Sequence, residues 1–597
     1  MPPGGSLFCP DCGERLARKP GVTSSLTSEA GRRVCTVLFT DVSGFTAMSE
    51  NLDPEVVTGI MNSFFKVLTR PIYAYGGTVD KYIGDAIMAL FGAPIAHEDD
   101  AERAVSAAWE MQIAAKEFAT DLEARMGIKL RIRIGINTGL VVAGAVGGEQ
   151  KRDYTVLGDA VNLASRLESN CRPGEIMVSA ATQRLARRTF FFTALEAIKV
   201  KGKTEPVEVF EVAGPRARIP EGEERPPFAG REQELEALGQ AFESPQRKTA
   251  ELAVLVGEAG IGKSRLAAEF EKRATSAGAT VLKARCFSYQ QSTPNALVVQ
   301  LLSAIAGADL EPAALARLCA AAGLADPELS AQALGHLLGR SLQDAELASL
   351  SAEQMQAYAN RTLNAVLGHR ARGSRIVLSL VDLHWLDTAS AHWLAAAVAD
   401  FTSGGVPVFF LLQLRPEGEA ALNVPDTALR LRLGPLAEAE GLAVIEGLLE
   451  APVTGKAREL VEEALSRAEG NPFYLCEIVR SLTEQGILTR DGISWVARQR
   501  AGAALPATIQ GTVVARVDVL PQAARQTLQV ASVVGRRVPR KVLLEILDDR
   551  DLEAKLAELV AAELVHVGAD DDVVFNQALI QEVVYEGLLV KTRKALH

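Results

Sequence analysis

Gly76–Gly92, GGTVDKYIGDAIMALFG, decides how the first third of this chain reads. Val79, Tyr82 and Ile83 have strand character, Gly84-Asp85 is a turn signal, and Ile87–Phe91 is an apolar run as long as a short buried strand. The stretch predicts a β-hairpin that holds Lys81 and Asp85, a cation and a carboxylate, one tight turn apart. A plain hairpin tip carries Asn-Gly or Asp-Gly between polar flanks, whereas here an acid stands between strands that face a core. Alone, the pattern fits a surface turn with an incidental ion pair as well as a binding site. Two further stretches decide between them.

On the N-terminal side, Cys35–Thr40 is a β-rich run ending in Asp41, followed by Val42-Ser43-Gly44-Phe45-Thr46 and an amphipathic helix from about Pro54 to Arg70. An acid at a strand end before a Ser/Gly turn suits metal and phosphate binding: the carboxylate holds a cation while backbone N–H groups face phosphates. A simple N-cap Asp has the same local look. Paired with Asp85, however, Asp41 predicts a two-carboxylate metal site. On the C-terminal side, a helix over Asp99–Glu123 precedes Leu130–Asn137, which alternates as a strand, and then the glycine-rich Thr138–Gly147. In Asp153–Glu168, DYTVLGDAVNLASRLE, the last part is helical, which sets Asn162 and Arg166 four residues apart on one face. Such a pair can orient a ribose and neutralise a phosphate, or can simply be a solvated face.

These stretches together resemble the catalytic domain of class III nucleotide cyclases, from about Arg33 to Gly214. FTDVSGFT, KYIGDAIMALFG, RIGINTGLVVAGAVG and DYTVLGDAVNLASRLE occur in family order and spacing, and IKVKGKTEPVEVFEV closes the segment as such domains close. The resemblance implies a ferredoxin-like β-α-β-β-α-β core and a homodimer with active sites at its interface. It implies that Asp41 and Asp85 bind two divalent cations, Mg²⁺ or Mn²⁺, and that Lys81 and Thr155 recognise the base. Asn162 and Arg166 would serve the transition state, and Lys201 would reach the terminal phosphates. Because one subunit of the family supplies the metal carboxylates and the other the base and ribose contacts, Lys81 and Asp85 would serve different sites. Donor-only Lys81 suits the N1 acceptor of adenine, and Thr155 can accept from its 6-amino group, so the expected reaction is ATP to 3′,5′-cyclic AMP and pyrophosphate. A guanylate cyclase is the lesser rival. Many adenylyl cyclases carry Asp where Thr155 stands; Thr marks the branch with the soluble, bicarbonate-responsive enzymes, so the resemblance raises bicarbonate sensitivity without establishing it.

The second half opens after Pro215–Pro227, a proline-rich, charged linker. Leu252–Val256 feeds Gly257-Glu-Ala-Gly-Ile-Gly262-Lys263-Ser264 and a helix, which is GxxxxGKS in its strand–loop–helix setting. Lys263 would meet the β/γ-phosphates of ATP and Ser264 the magnesium. Ile376–Val381 ending in Asp382 is the Walker B candidate. With His384-Trp385-Leu386-Asp387, Arg415-Pro-Glu417 and Glu469-Gly-Asn471-Pro-Phe473, the block resembles the signalling ATPases of the STAND type. Many relatives carry two acids where this chain has Val381-Asp382, which separates the expectation of nucleotide binding from that of hydrolysis. From about Leu505 the pattern is mostly helical with a β-rich part at Leu564–Phe575 and resembles the winged-helix region that follows such ATPases. Acid clusters there favour a protein-interaction module over DNA binding. Such ATPases commonly continue into helical repeats, so a chain ending at His597 reads as a shortened form. The competing function is a P-loop signalling switch in which the cyclase-like segment only dimerises.

At 597 residues the chain needs several cores. The expected division is 1–32, a half zinc ribbon and linker; 33–214, the cyclase domain; 215–227, a linker; 228–500, the P-loop ATPase; and 501–597, the helical region. The fold class is therefore a multidomain α/β protein. A net charge of −11 argues against broad nucleic-acid or anionic-membrane binding. Apolar runs such as Val406–Leu412 are shorter than the ~18–20 residues that span a bilayer. Seven cysteines in so long a chain make no disulfide framework, and with no secretory signal the expected setting is the cytoplasm. Cys9 and Cys12 form a CxxC turn that supplies two of the four ligands zinc needs, and no second CxxC follows.

Overall fold

The computed structural model describes residues 31–43, 52–147, 152–187, 189–200, 206–216, 228–243, 251–291, 293–307, 310–419, 422, 424–425, 427–491, 494–497, 507–547, 551–568 and 571–597. Cys9, Cys12 and Lys201 lie outside them. The chain divides into two compact units, one holding the residues up to 224 and from 501 on, the other residues 225–500.

The first unit is built on β1 (Gly31–Ser43), β2 (Thr78–Ile83), β3 (Ala86–Phe91), β4 (Arg131–Gly147), β5 (Arg152–Leu157), β6 (Ile176–Ser179), β7 (Phe190–Ala194) and β8 (Val209–Pro215). Their order is β2-β3-β1-β4-β6-β8-β7, with β5 antiparallel to the far half of β4. The helix Pro54–Ala74 joins β1 to β2 and the helix Asp100–Met126 joins β3 to β4, which gives the β-α-β-β-α-β succession with β2-β3-β1-β4 side by side. Asp53 caps the first helix by accepting from Glu55 N, and Pro54 takes the first position, where its missing N–H costs nothing. Val57, Met61, Phe64, Leu68 and Ile72 recur at helical spacing and are buried against Leu38, Ile87, Ala89 and Ile134 of the sheet.

The other sheet face is also apolar: Val37, Phe39, Met88, Leu90 and Val141 pack with Ala160 and Ala164 of the helix Asp159–Asn170. Burial on both faces explains why Ile87–Phe91 is a continuous apolar run rather than an alternating one. Gly135 makes this covering possible, since a Cβ there would lie 2.1 Å from Glu168 N and 2.6 Å from Ala164 O. Two boundaries differ from the sequence reading. The strand does not stop before Asp41 but runs to Ser43, and the strand expected over Leu130–Asn137 continues through the glycine-rich Thr138–Gly147. Each extension secures the other, because β1 and β4 pair in one antiparallel register from Gly31↔Ala143 to Ser43↔Arg131.

Within the same unit the C-terminal stretch supplies the helices Ala507–Asp518, Gln522–Val534, Arg540–Leu547, Leu552–Ala561, Ala578–Gly587 and Val590–Leu596. Arg537–Pro539, Val565–Val567 and Asp572–Phe575 form a small antiparallel sheet with the last of these central. The buried Asp518 carboxylate accepts from Arg33 Nη1 at 2.9 Å and from Ala96 N at 3.0 Å, which ties this stretch to the start of β1.

The second unit has a five-stranded, wholly parallel sheet of β9 (Glu251–Val256), β10 (Thr280–Arg285), β11 (Ile376–Val381), β12 (Val408–Leu414) and β13 (Leu429–Arg432), ordered β10-β11-β12-β9-β13. Separate apolar cores lie on its two faces. Among the described residues no helix is long and apolar enough to cross a membrane.

Candidate active site

The β2–β3 hairpin forms as expected, with Gly84 in the left-handed region at φ +65°. Its register contains a bulge: Val79 pairs with Ala89 and Lys81 with Met88, which leaves Asp80 as the extra residue. Neighbours on a regular strand point to opposite faces, but a bulge re-aims one of them. Here the Asp80 and Lys81 side chains converge on the Thr155 hydroxyl of β5. Lys81 Nζ donates to Thr155 Oγ1 at 3.2 Å, Thr155 Oγ1 donates to Asp80 Oδ2 at 2.9 Å, and Lys81 Nζ lies 3.0 Å from the same carboxylate oxygen. The Asp80 side chain is 1% exposed and that of Lys81 46%, so the acid is the buried anchor and the lysine the open end.

Asp41 sits opposite Arg133 in the β1–β4 register. Arg133 Nη2 and Nε reach Asp41 Oδ2 at 2.7 and 3.0 Å, and Nε lies 2.8 Å from Glu168 Oε1 of the helix Asp159–Asn170. Burial pushes the Asp85 carboxyl above its ordinary range and the charge of Asp41 adds to the shift, so the two predicted metal ligands feel one another. Burial likewise raises Glu168, against the pull of Arg133. Two hard carboxylates sharing a field suit a divalent cation completed by substrate phosphate oxygens, and a cation at Asp41 must compete with Arg133. Among the described residues no group of three His, Cys, Asp or Glu side chains forms a protein-only cage.

Asn162 and Arg166 stand on the face of their helix away from buried Ala160, Ala164 and Leu167. Among the described residues their side chains have no polar partner, so neither bonds Asp41 or Lys81.

In the second unit β9 ends at Val256 and the helix Lys263–Ser276 begins at the P-loop lysine. Lys263 Nζ donates to the Gly257 and Glu258 carbonyls at 2.6 and 2.8 Å, and burial lowers its pKa to about 8. Ser264 Oγ donates to Gln413 Oε1 of β12 at 3.2 Å. Asp382, at the end of β11, is paired with Arg285 at 2.8 Å. Burial opposes its charge, but the Arg285 and Lys263 cations outweigh burial and hold the carboxyl below its ordinary range. His384 beside it is lowered to about 3 by burial, with Arg415 adding, and is neutral. The Asn471-Pro-Phe473 turn lies on the loop: Asn471 Nδ2 donates to Ala259 O at 2.9 Å and Phe473 N to Gly260 O at 3.3 Å. A Cβ on Gly260 would come within 2.6 Å of Phe473 Cβ, so this contact needs the glycine.

Asp80, Arg133, Glu168, Arg285 and Gln413 escaped the sequence reading. Two adjacent charges inside a strand hint at a bulge at Asp80, and a charge inside RIRIGIN marks Arg133.

With this geometry, the matches to known families take on a structural meaning. Residues 28–213 match the adenylate and guanylate cyclase catalytic domain and residues 227–411 the AAA ATPase domain. The chain carries a nucleotide cyclase catalytic domain. Across 97% of its length it is 26% identical to the uncharacterized protein R02095 of Rhizobium meliloti, covering 56% of that protein. Over 31% of its length it is 32% identical to adenylate cyclase 1 of Rhizobium meliloti, covering 28% of it. Over 30% it is 35% identical to the guanylate cyclase soluble subunit beta-2 of Rattus norvegicus, covering 25% of it. The chain thus spans about half, or less, of the length of these curated relatives.

Proposed function

We propose that the cyclase domain converts ATP to 3′,5′-cyclic AMP and pyrophosphate at the interface of a homodimer, and that the P-loop unit is a nucleotide-binding regulator. The observation that carries the choice of ATP is the meeting of Lys81 and Thr155 at 3.2 Å, a donor and a hydroxyl side by side as a 6-aminopurine edge requires. Asp41 and Asp85 would hold two divalent cations, Mg²⁺ or Mn²⁺, which supply charge to clamp the phosphate oxygens and to acidify the attacking 3′-hydroxyl. Arg166 of the second copy would offset charge on the crowded α-phosphate, and Asn162 would orient the ribose. Their lack of polar partners among the described residues supports this sharing. In the second unit ATP would bind Gly257–Ser264, with Lys263 leaving its loop carbonyls for the phosphates and Asp382 near the magnesium. The five buried free thiols among the described residues agree with a reducing cytoplasm. We read the C-terminal stretch as a winged-helix-like interaction module, and Cys9 and Cys12 as half of a zinc site.

Purified protein given ATP or GTP with Mg²⁺ or Mn²⁺, with cyclic nucleotide resolved from free phosphate, tests the proposal. Cyclic AMP that survives Lys263→Ala is the expected result. Phosphate release alone, lost in Lys263→Ala, would make the P-loop the working part and the cyclase domain a dimerising scaffold. Cyclic GMP would replace the substrate.

A further inference from the structure

We propose that Asp80 is a positioning residue for base choice: it fixes the Thr155 hydroxyl as a hydrogen-bond acceptor toward the substrate, tuning the site to 6-amino over 6-oxo purine nucleotides. The inference rests on the reading above, in which Lys81 faces N1 and Thr155 the 6-position.

A threonine hydroxyl by itself discriminates poorly, because it rotates and can donate to a 6-oxo group as readily as accept from a 6-amino group. Here the rotor is fixed. Asp80, paired with the Lys81 ammonium, only accepts, and the Thr155 proton points to it at 2.9 Å. One Thr155 lone pair takes a Lys81 hydrogen, which leaves one lone pair for the substrate. Of the three Lys81 hydrogens, one goes to Thr155 and one to Asp80, and among the described residues the third has no partner. The cluster therefore offers one acceptor and one donor. With Thr155 at the 6-position these match the 6-amino donor and N1 acceptor of adenine, and they oppose the 6-oxo acceptor and N1–H of guanine. The bulge makes this arrangement possible, since in a regular register Asp80 would face away from Lys81 and Thr155. Asp80 Oδ1 is buried with no partner among the described residues, so the acid is held by this cluster alone rather than by a wider structural network.

The test uses the full chain with Lys263→Ala, so that the P-loop does not contribute, and measures kcat/KM and competition binding for ATP and GTP. Asp80→Asn presents an amide that can donate to Thr155, freeing its hydroxyl to turn toward the base. The ATP:GTP ratio should fall at least about tenfold, mainly through KM for ATP. The same change in a Thr155→Val background should leave the ratio where Thr155→Val put it. Equal losses for both nucleotides, with the ratio unchanged, or a ratio change that persists without the hydroxyl, would overturn the proposal. If Asp80→Asn fails to fold, Thr155→Asn decides: Asp80 should take the amide N–H and leave the carbonyl facing the base, so ATP preference persists, whereas a switch to GTP refutes the role of Asp80. Wild-type protein that binds ATP over GTP but forms no cyclic product defeats the cyclase reading, while the binding ratios still judge Asp80.

Discussion

The two proposed phosphate sites differ in how much of each a single chain completes. Around the P-loop everything is close at hand: Lys263 rests on its own loop carbonyls, Ser264 on Gln413, Asp382 against Arg285, and Asn471 on the loop from above. In the cyclase domain the parts are held separately. Arg133 occupies Asp41, Lys81 and Thr155 bond one another, and Asn162 with Arg166 reach toward no polar partner among the described residues. A loop that cradles phosphate with backbone N–H groups is complete once a strand and a helix flank it. A site that needs carboxylates at one place and a guanidinium at another is finished only when a second surface arrives. On the proposed reading, the first design commits to its ligand on folding, and the second couples chemistry to assembly.

The sharpest way to break this comparison is to remove one group from each region. Asp41→Ala should lower cyclase turnover by at least about 10²–10³-fold, the scale on which one charge-stabilising group acts, with ATP binding at Lys263 unaltered. Lys263→Ala should remove ATP binding at the P-loop while cyclic AMP formation survives. Turnover of cyclic nucleotide, and binding of a labelled ATP analogue, read the two sites separately. Retained cyclase activity in Asp41→Ala would remove that residue from the metal site.

Sharing between copies predicts a smaller but more specific effect. Asp41→Ala and Arg166→Ala should each be nearly inactive alone. Mixed in equal amounts and allowed to exchange, about half of the dimers contain one of each, and each such dimer has one of its two sites intact. Activity should return to about a quarter of the wild-type level. No recovery, in a mixture shown to contain mixed dimers, would mean that both residues act within one copy.

What the sequence reveals follows the same division. The P-loop and the β2–β3 hairpin are legible because each is local: glycines at a turn, an apolar run of strand length, a lysine at a helix start. Thr155 was visible through its motif, but the buried carboxylate under it was not, because strand alternation places Asp80 and Lys81 on opposite faces and nothing local announces where a register slips. Arg133 meets Asp41 across 92 positions and Gln413 meets Ser264 across 149, pairings that only sheet order creates. The same long register carries the strand on from Asn137 through the glycine-rich Thr138–Gly147, since glycines that weaken an isolated strand are tolerated where β1 and β5 supply the partners and a helix packs closely.

The smallest effect concerns proton balance at the P-loop and sets a buried lysine against a half-exposed one. Burial brings the Lys263 ammonium down to a pKa of about 8, and Lys81 keeps 46% of its side chain in water. Phosphate binds the charged form, so bound nucleotide must raise the Lys263 pKa. Below about pH 8 the free protein already carries the charge and affinity is level. Above it each binding event takes up a proton, and Kd for ATP at the P-loop should rise toward tenfold per pH unit until the bound lysine itself titrates. Titrating a labelled ATP analogue between pH 7 and 9.5, with Lys263→Ala subtracted as the background of the other site, measures that slope. A level Kd over this range would show that Lys263 stays charged in its loop, and would remove the proposed contrast between a closed lysine and an open one.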